Sequence, residues 1–260
     1  MQERAADGQQ RLDDPDIEAL ERATLAAVTP GEVGQMGDWL LPFDSGTIGR
    51  AKSAVPVSHR PVDASVMESI EALYRARGLQ PIFRLPDLPA FAALQERLAA
   101  SGYERGPAVN VQVIDAAALA ASVPAQLHAR VDQRPDAAWA ELFLGPGFDP
   151  VDGANRVRNL SRAEGTVFAS LVEEGATIAG GAGGMACGWA SIHGMRTAQA
   201  FRGRNLAGRV LAGLAAHALS QGLTRIFLQV EEGNASALAL YRRVGFSTAW
   251  RYRYWKASSG

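Results

Sequence analysis

One short pattern of helix stops and strands recurs along this chain, and it limits the fold more than any other feature. Gly78-Leu79-x-x-Ile82-Phe83 returns 144 residues later as Gly222-Leu223-x-x-Ile226-Phe227, and Gly102-Tyr103 returns one residue out of phase as Gly245-Phe246. Each time the order reads helix, glycine stop, strand, helix, glycine–aromatic pair, strand. Glycine ends a helix because it enters the left-handed region without the Cβ penalty. Chance likeness of short apolar motifs is the competing explanation, but the shared order and near-constant offset favour a structural duplication. The expectation is an α/β chain, an α+β mixed sheet flanked by helices, with the arrangement occurring twice. Residues 1–15 read as a disordered polar tail, 16–120 as the first domain and 121–260 as the second. The alanine-rich Asp115–Pro124 is the candidate linker.

Composition excludes several function classes. The net charge of −1 over 260 residues argues against a general nucleic-acid binder. A single cysteine, Cys187, allows no intrachain disulfide and fits a reducing compartment. Met1–Asp16 lacks the apolar core of a signal peptide, and no apolar run reaches the length of a membrane span. The expected setting is cytoplasmic, with no membrane or nucleic-acid partner, as a monomer or homodimer.

Periodicity supplies a coarse element order. Helices are expected at Asp16–Val28, Ser65–Arg77, Ala90–Ala100, Pro135–Leu144, Val151–Leu160, Asn205–Ser220 and Asn234–Val244. Strands are expected at Trp39–Phe43, Thr47–Val57, Ile82–Leu85, Ala108–Ile114, Leu127–Val131, Thr166–Glu173, Ala176–Ala182, Gly188–Thr197, Arg225–Val230 and Ser247–Trp255. Gly145–Pro150 reads as a loop. Gly181-Ala182-Gly183-Gly184-Met185-Ala186 fits a loose dinucleotide pattern, but no helix and no acid follow it, so it reads as an irregular hairpin.

Chemistry concentrates in Phe201-Arg202-Gly203-Arg204-Asn205-Leu206-Ala207-Gly208-Arg209, between a strand and an apolar helix. Small residues and arginines at a helix start let a phosphate meet both free amides and guanidinium groups. From Gly175 to Val230 there is no Asp or Glu but five arginines: Arg196, Arg202, Arg204, Arg209 and Arg225. A solvated basic face would explain that charge alone. A second stretch, Gln229 to Phe246, carries Asn234 as a helix cap and Tyr241 two turns further on. By residue type alone, Tyr241 reads first as a core aromatic.

Together these stretches resemble the Gcn5-related N-acetyltransferases (GNAT), over roughly Ala125 to Trp255. The family's pyrophosphate loop, [Q/R]-x-x-G-x-[G/A], maps onto Arg202-Gly203-Arg204-Asn205-Leu206-Ala207, with Asn205 replacing its glycine. Its second block, N-x-x-A-x-x-L-Y-x-x-x-G-F, is matched at Asn234, Ala237, Leu240, Tyr241, Gly245 and Phe246. The resemblance implies an acyl-CoA N-acyltransferase-like fold in two tandem units, and acetyl-CoA as cosubstrate with no metal. It implies that Met195, Arg196 and Thr197 pair with the pantetheine arm, that Gly203 to Gly208 cradle the pyrophosphate, and that Asn234 touches the cofactor. Tyr241 would be the general acid toward the departing thiolate, and the acceptor would be a small-molecule, peptide or protein amine.

Asparagine tolerates a positive φ next best after glycine, so the loop is expected to keep its shape. The general base is not legible: some relatives carry Glu where this chain has Gln229, and Glu173, Glu174, His193 and Glu231 remain candidates. Projected onto the first half, the loop falls on Ser58-His59-Arg60-Pro61-Val62-Asp63, Asn234 on Phe91 and Tyr241 on Leu98. That half therefore reads as a degenerate copy. The alternative to catalysis is an acyl-CoA-binding sensor or scaffold.

Overall fold

The two repeated glycine stops close their helices with the same hydrogen bonds. Leu79 N–H donates to Tyr74 C=O and Leu223 N–H to Ala218 C=O, each at 3.0 Å, around glycines at φ +69° and +75°. The computed structural model that shows this describes residues 12–144 and 149–258. Helix α1 (Asp14–Val28) leads into an antiparallel sheet of β1 (Glu32–Met36), β2 (Trp39–Phe43) and β3 (Val55–Pro56). Next come α2 (Val66–Arg75), β4 (Ile82–Pro86), α3 (Ala92–Ala100), β5 (Tyr103–Asp115) and α4 (Ala116–Ala121). They are followed by β6 (Arg130–Asp132), α5 (Ala137–Leu144), α6 (Pro150–Arg162), β7 (Thr166–Glu173), β8 (Ala176–Ala186) and β9 (Trp189–Thr197). Helix α7 (Leu206–Ser220), β10 (Arg225–Glu231), α8 (Ala235–Arg243) and β11 (Ser247–Ala257) complete the order.

The fold is mixed α/β around a large mixed sheet of eight strands in the order β4-β11-β5-β10-β9-β8-β7-β6. Only β9 and β10 run parallel within it; the other neighbours are antiparallel. Each half supplies a next-to-last strand, β4 or β10, and a last strand, β5 or β11. Each next-to-last strand pairs with the other half's last strand, and β5 and β11 pair with each other. The small sheet meets β4 through a parallel bridge, Ala54 to Phe83, much as β9 meets β10.

One face of the large sheet buries Ile226, Leu228 and Val230 against Leu206, Val210, Leu211 and Leu214 of α7. The other buries Val111, Val113, Trp189, Phe227, Trp250 and Tyr252 against Ile17, Leu20 and Ala23 of α1. Asp13 caps α1 by accepting from Asp16 N–H, so the helix begins at Asp14, inside the expected tail. Midway along the same helix, Glu21 accepts from both terminal nitrogens of the Arg84 guanidinium, at 3.0 and 2.5 Å. Their side chains are 3% and 0% exposed. Burial opposes the Arg84 charge, but Glu21 and the neighbouring tyrosines outweigh it and hold its pKa above the ordinary arginine value.

Several expectations change. Asp115–Pro124 is not an open linker: Asp115 caps Ala118 N–H, and alanine's high helix propensity carries α4, which buries Ala116 and Leu119. Thr47–Val57 is not one strand; it breaks into a 3-10 turn at Gly49–Lys52 and the short β3. The turn starts at Gly49, where a Cβ would lie 2.9 Å from the Tyr254 ring. Gly181–Ala186 is regular strand within β8, and its hairpin turn comes later, at Cys187 and Gly188 with φ +50° and +74°. Strand β1 was not expected. Gly145–Phe148 of the expected loop lie outside the described residues.

Removing one partner of a buried, bidentate ion pair costs about 3–5 kcal/mol, because the other charge is left desolvated. Glu21→Ala should therefore lower the unfolding free energy by about that much in urea titration. The double variant Glu21→Leu/Arg84→Met should lose distinctly less. Equal losses would mean the pair's charges are not what holds α1.

Candidate active site

Strands β9 and β10 part company at one end of the sheet. Their pairing stops at Ile192 opposite Leu228, although β9 continues to Thr197 and β10 to Glu231. The cause lies in β9. Between Gly180 and Ala182 of β8, the partner jumps from Arg196 to His193, so β9 carries one extra residue. A bulge of this kind bends its strand. Gly194 sits in it at φ +58°, with Phe143 and Leu160 so close that a Cβ would meet them at 3.1 and 3.2 Å. Met195, Arg196 and Thr197 lie on the diverging segment beyond the bulge.

The arginine loop follows directly. A 3-10 turn at Gln199–Phe201 leads through Gly203 (φ +81°) and Asn205 (φ +56°, ψ 21°) into α7. Asn205 thus holds the left-handed conformation at the N-cap, and no side chain caps the helix. The amides of its first turn are left available to an anion, at the positive end of the helix dipole. The Asn205 side chain packs over Gly208, where a Cβ would lie 2.9 Å from its Oδ1, and that oxygen accepts from Arg243 at 3.2 Å.

The positive charge here is smaller than the arginine count implies. Arg204 donates to both Glu173 oxygens, at 3.2 and 2.7 Å, and Arg209 Nε donates to Leu127 C=O at 2.6 Å. Arg225 belongs elsewhere, since it starts β10 at the opposite end, pairs with Asp16 and stacks 4.3 Å from the Trp189 ring. Arg202 is exposed on the loop.

Helix α8 lies beside the loop, tied to it by the Arg243–Asn205 bond. Asn234 caps it by accepting from Ala237 N–H at 3.2 Å. Tyr241 is 8% exposed, and its ring meets Phe246 edge-on at 5.6 Å. Burial pushes its pKa up to about 12, so the hydroxyl keeps its proton at neutral pH.

Across the sheet from α7, the cleft is backed by a polar cluster. Gln229 Nε2 donates to Thr24 at 2.9 Å, while its Oε1 accepts from Tyr252 at 2.8 Å and from Arg50 at 3.5 Å. His193 lies beside it on β9, and burial, helped by Arg50, lowers its pKa to about 3. Ser191 Oγ donates to Gly184 C=O at 3.2 Å, so at 2.7 Å it accepts from His193 Nε2–H. The histidine is then neutral, with Nδ1 as its acceptor. Of the candidate bases, Glu173 is engaged by Arg204 and Glu231 is exposed at the end of β10. Thr24, Arg50 and Tyr252 were not expected here. No local pattern marks them, because they meet Gln229 across separations of 205, 179 and 23 residues.

Comparison with known proteins gives this geometry a family. Residues 15–255 match the model of the family described as "Probable histone acetyltransferase Rv0428c C-terminal". The chain is 25% identical over 247 residues to the uncharacterized N-acetyltransferase YobR of Bacillus subtilis, covering 92% of this chain and 98% of YobR. Its fold is similar to a GCN5-related N-acetyltransferase from Kribbella flavida, with TM-score 0.69 and 15% identity over 96% of this chain and 97% of the other. It is also similar to a tandem GNAT protein from the clavulanic acid biosynthesis pathway, with TM-score 0.59 and 16% identity over 96% and 98% of the two chains. The chain belongs to the Rv0428c C-terminal acetyltransferase family and is an acyltransferase of the GNAT type.

Proposed function

We propose that this protein moves an acetyl group from acetyl-CoA to a primary amine. The observation that carries the reading is the uncapped start of α7, opening beside the point where β9 and β10 diverge. The residues present fit the cosubstrate. First-turn amides and the helix dipole suit a pyrophosphate, and the left-handed Asn205 and Gly203 turn the backbone toward it. Along the diverging part of β9, Met195, Arg196 and Thr197 would pair with the amides of the pantetheine arm. Asn234, exposed at the start of α8, would touch the cofactor.

Acetyl-CoA supplies an activated acyl group whose C–S bond breaks as the amine forms its N–C bond. The amine must first give up a proton. Gln229 cannot take it, and both ends of its amide are already engaged. Tyr241, kept protonated by burial, would give its proton to the departing sulfur. The acceptor would reach this point from the face that carries Gln229 and His193.

We further propose that the first half is a degenerate GNAT-like unit in tandem with the second. The shared Schellman stops and the reciprocal pairing of β4 and β10 support this. At the positions corresponding to Gly203 and Asn234 stand His59 and Phe91, whose rings meet edge-on at 6.4 Å, with Trp250 4.9 Å from His59. Burial lowers the His59 pKa to about 4, against the pull of Asp14, so an uncharged aromatic block fills the place of a pyrophosphate loop. Among the described residues no helix is long and apolar enough to cross a membrane.

Two variants test the reading. Tyr241→Phe should lower kcat by about 100-fold, the scale of general acid catalysis, while coenzyme A affinity stays within about threefold. Unchanged turnover, followed by release of coenzyme A thiol, would remove its role. Asn205→Gly relieves the left-handed conformation and should leave coenzyme A binding equal or tighter by calorimetry. Loss of binding would refute the loop assignment.

A further inference from the structure

Several arginines are answered by carboxylates: Arg77 by Glu32, Arg84 by Glu21, Arg204 by Glu173, Arg253 by Asp87. Arg50, Arg158 and Arg162 are not. Arg50 gives Gln229 one long bond of 3.5 Å, and its Nε is buried with no hydrogen-bond partner. Arg158 and Arg162 donate only to Asn155 and Asn159 of their own helix, at 3.2 Å each. Among the described residues no carboxylate pairs with any of the three. Arg50 is half-buried, where a guanidinium without a counter-charge is costly, and Arg158 and Arg162 are exposed to an incoming anion.

Two of these arginines, Arg158 and Arg162, line one cavity of about 440 Å³, walled by the end of α1, the segment Asp44–Ile48 with Ala51, and α6. Val28 and Ala51 line it, as do Arg158 and Arg162. Arg50 is the neighbour of Ala51 on the 3-10 turn. One turn back along α1 from Val28, about 6 Å, is Thr24, which holds Gln229. On the other side, Leu160 of α6 packs on Gly194, the residue next to His193. The cavity therefore adjoins the polar cluster at the parting of β9 and β10.

Its charge balance is positive. Asp44 lies on the wall, but its oxygens accept from the backbone amides of Gly31 at 3.2 Å and Gly46 at 2.6 Å. Lys52 adds a further cation, donating to Gly46 C=O at 2.7 Å.

We propose that the acceptor is a small amine that also carries a carboxylate, an amino-acid-like molecule. Its anionic group is received by Arg50 from the first half and by Arg158 and Arg162 from α6, while its amine points toward the thioester. The cavity volume matches a small molecule. Lysine-rich peptides are selected against, because they would bring like charges to the same arginines. This inference rests on the acetyl-transfer reading, but its binding half can be tested alone.

The full chain, with coenzyme A bound, should be titrated calorimetrically with a panel of N-acetyl-amino acids and their methyl esters. In parallel, acetyl transfer to the free amino acids, their esters and a lysine-rich peptide should be followed by thiol release. The acids should bind at least tenfold tighter than their esters and show the same preference in kcat/KM. Arg50→Met and the double variant Arg158→Gln/Arg162→Gln should reduce that preference below threefold, with coenzyme A affinity within threefold of wild type. The proposal is overturned if no acid binds, if esters bind as well, if the peptide is the best acceptor, or if the arginine variants keep full discrimination. Discrimination in binding with no thiol released would leave the anion site standing and refute the transfer reading instead.

Discussion

Strand β5, Tyr103–Asp115, is hydrogen-bonded along both edges, to Arg225–Glu231 on one side and to Ser247–Ala257 on the other. Everything else in the structure depends on this arrangement. Because β5 comes from the first half and lies inside the sheet of the second, the halves share one hydrogen-bond network. The open end of β10, which forms one wall of the cleft, is braced on its far side by β5 through Val109 opposite Glu231. β10 can therefore leave β9 without losing its ladder, and the cleft costs the sheet little.

The first half also governs the chemistry of the cleft's far wall. Helix α1 covers the face where Gln229 and His193 point, and the buried Glu21–Arg84 pair fixes it to β4. Thr24, one turn further along α1, then reaches Gln229, and Arg50 reaches the same amide from the 3-10 turn. Two side chains of the first half thus meet one glutamine of the second. The residue that occupies the place of a base in some relatives acts here as a junction.

What the sequence disclosed was mostly local. The glycine stops, the Asn234 cap, the left-handed Asn205 and the burial of Tyr241 are all written in runs of a few residues, since their hydrogen bonds close within one turn. Strand β1 carries no apolar alternation, because its one branched apolar residue, Val33, is exposed like Glu32 and Gln35. The reciprocal pairing of β4 and β10 could not be read either, because any last strand with the right pattern would serve equally well. The same holds for Arg225, which belongs to the arginine cluster in sequence but stands at the far end of its strand, beside Asp16. Arg50 carries no local mark at all, and its importance comes only from where the 3-10 turn aims it.

The reciprocal strands also set an order of assembly. β11 follows every other strand in the chain, yet it is the partner of both β4 and β5. A nascent chain that has already made the first half therefore holds β4 with one edge unfilled and Arg84 in its middle. Pairings separated by well over a hundred residues fold slowly and leave sheet edges open meanwhile. The first half cannot close until β11 has been made, so a strand from the far half of the chain completes the sheet that β4 begins.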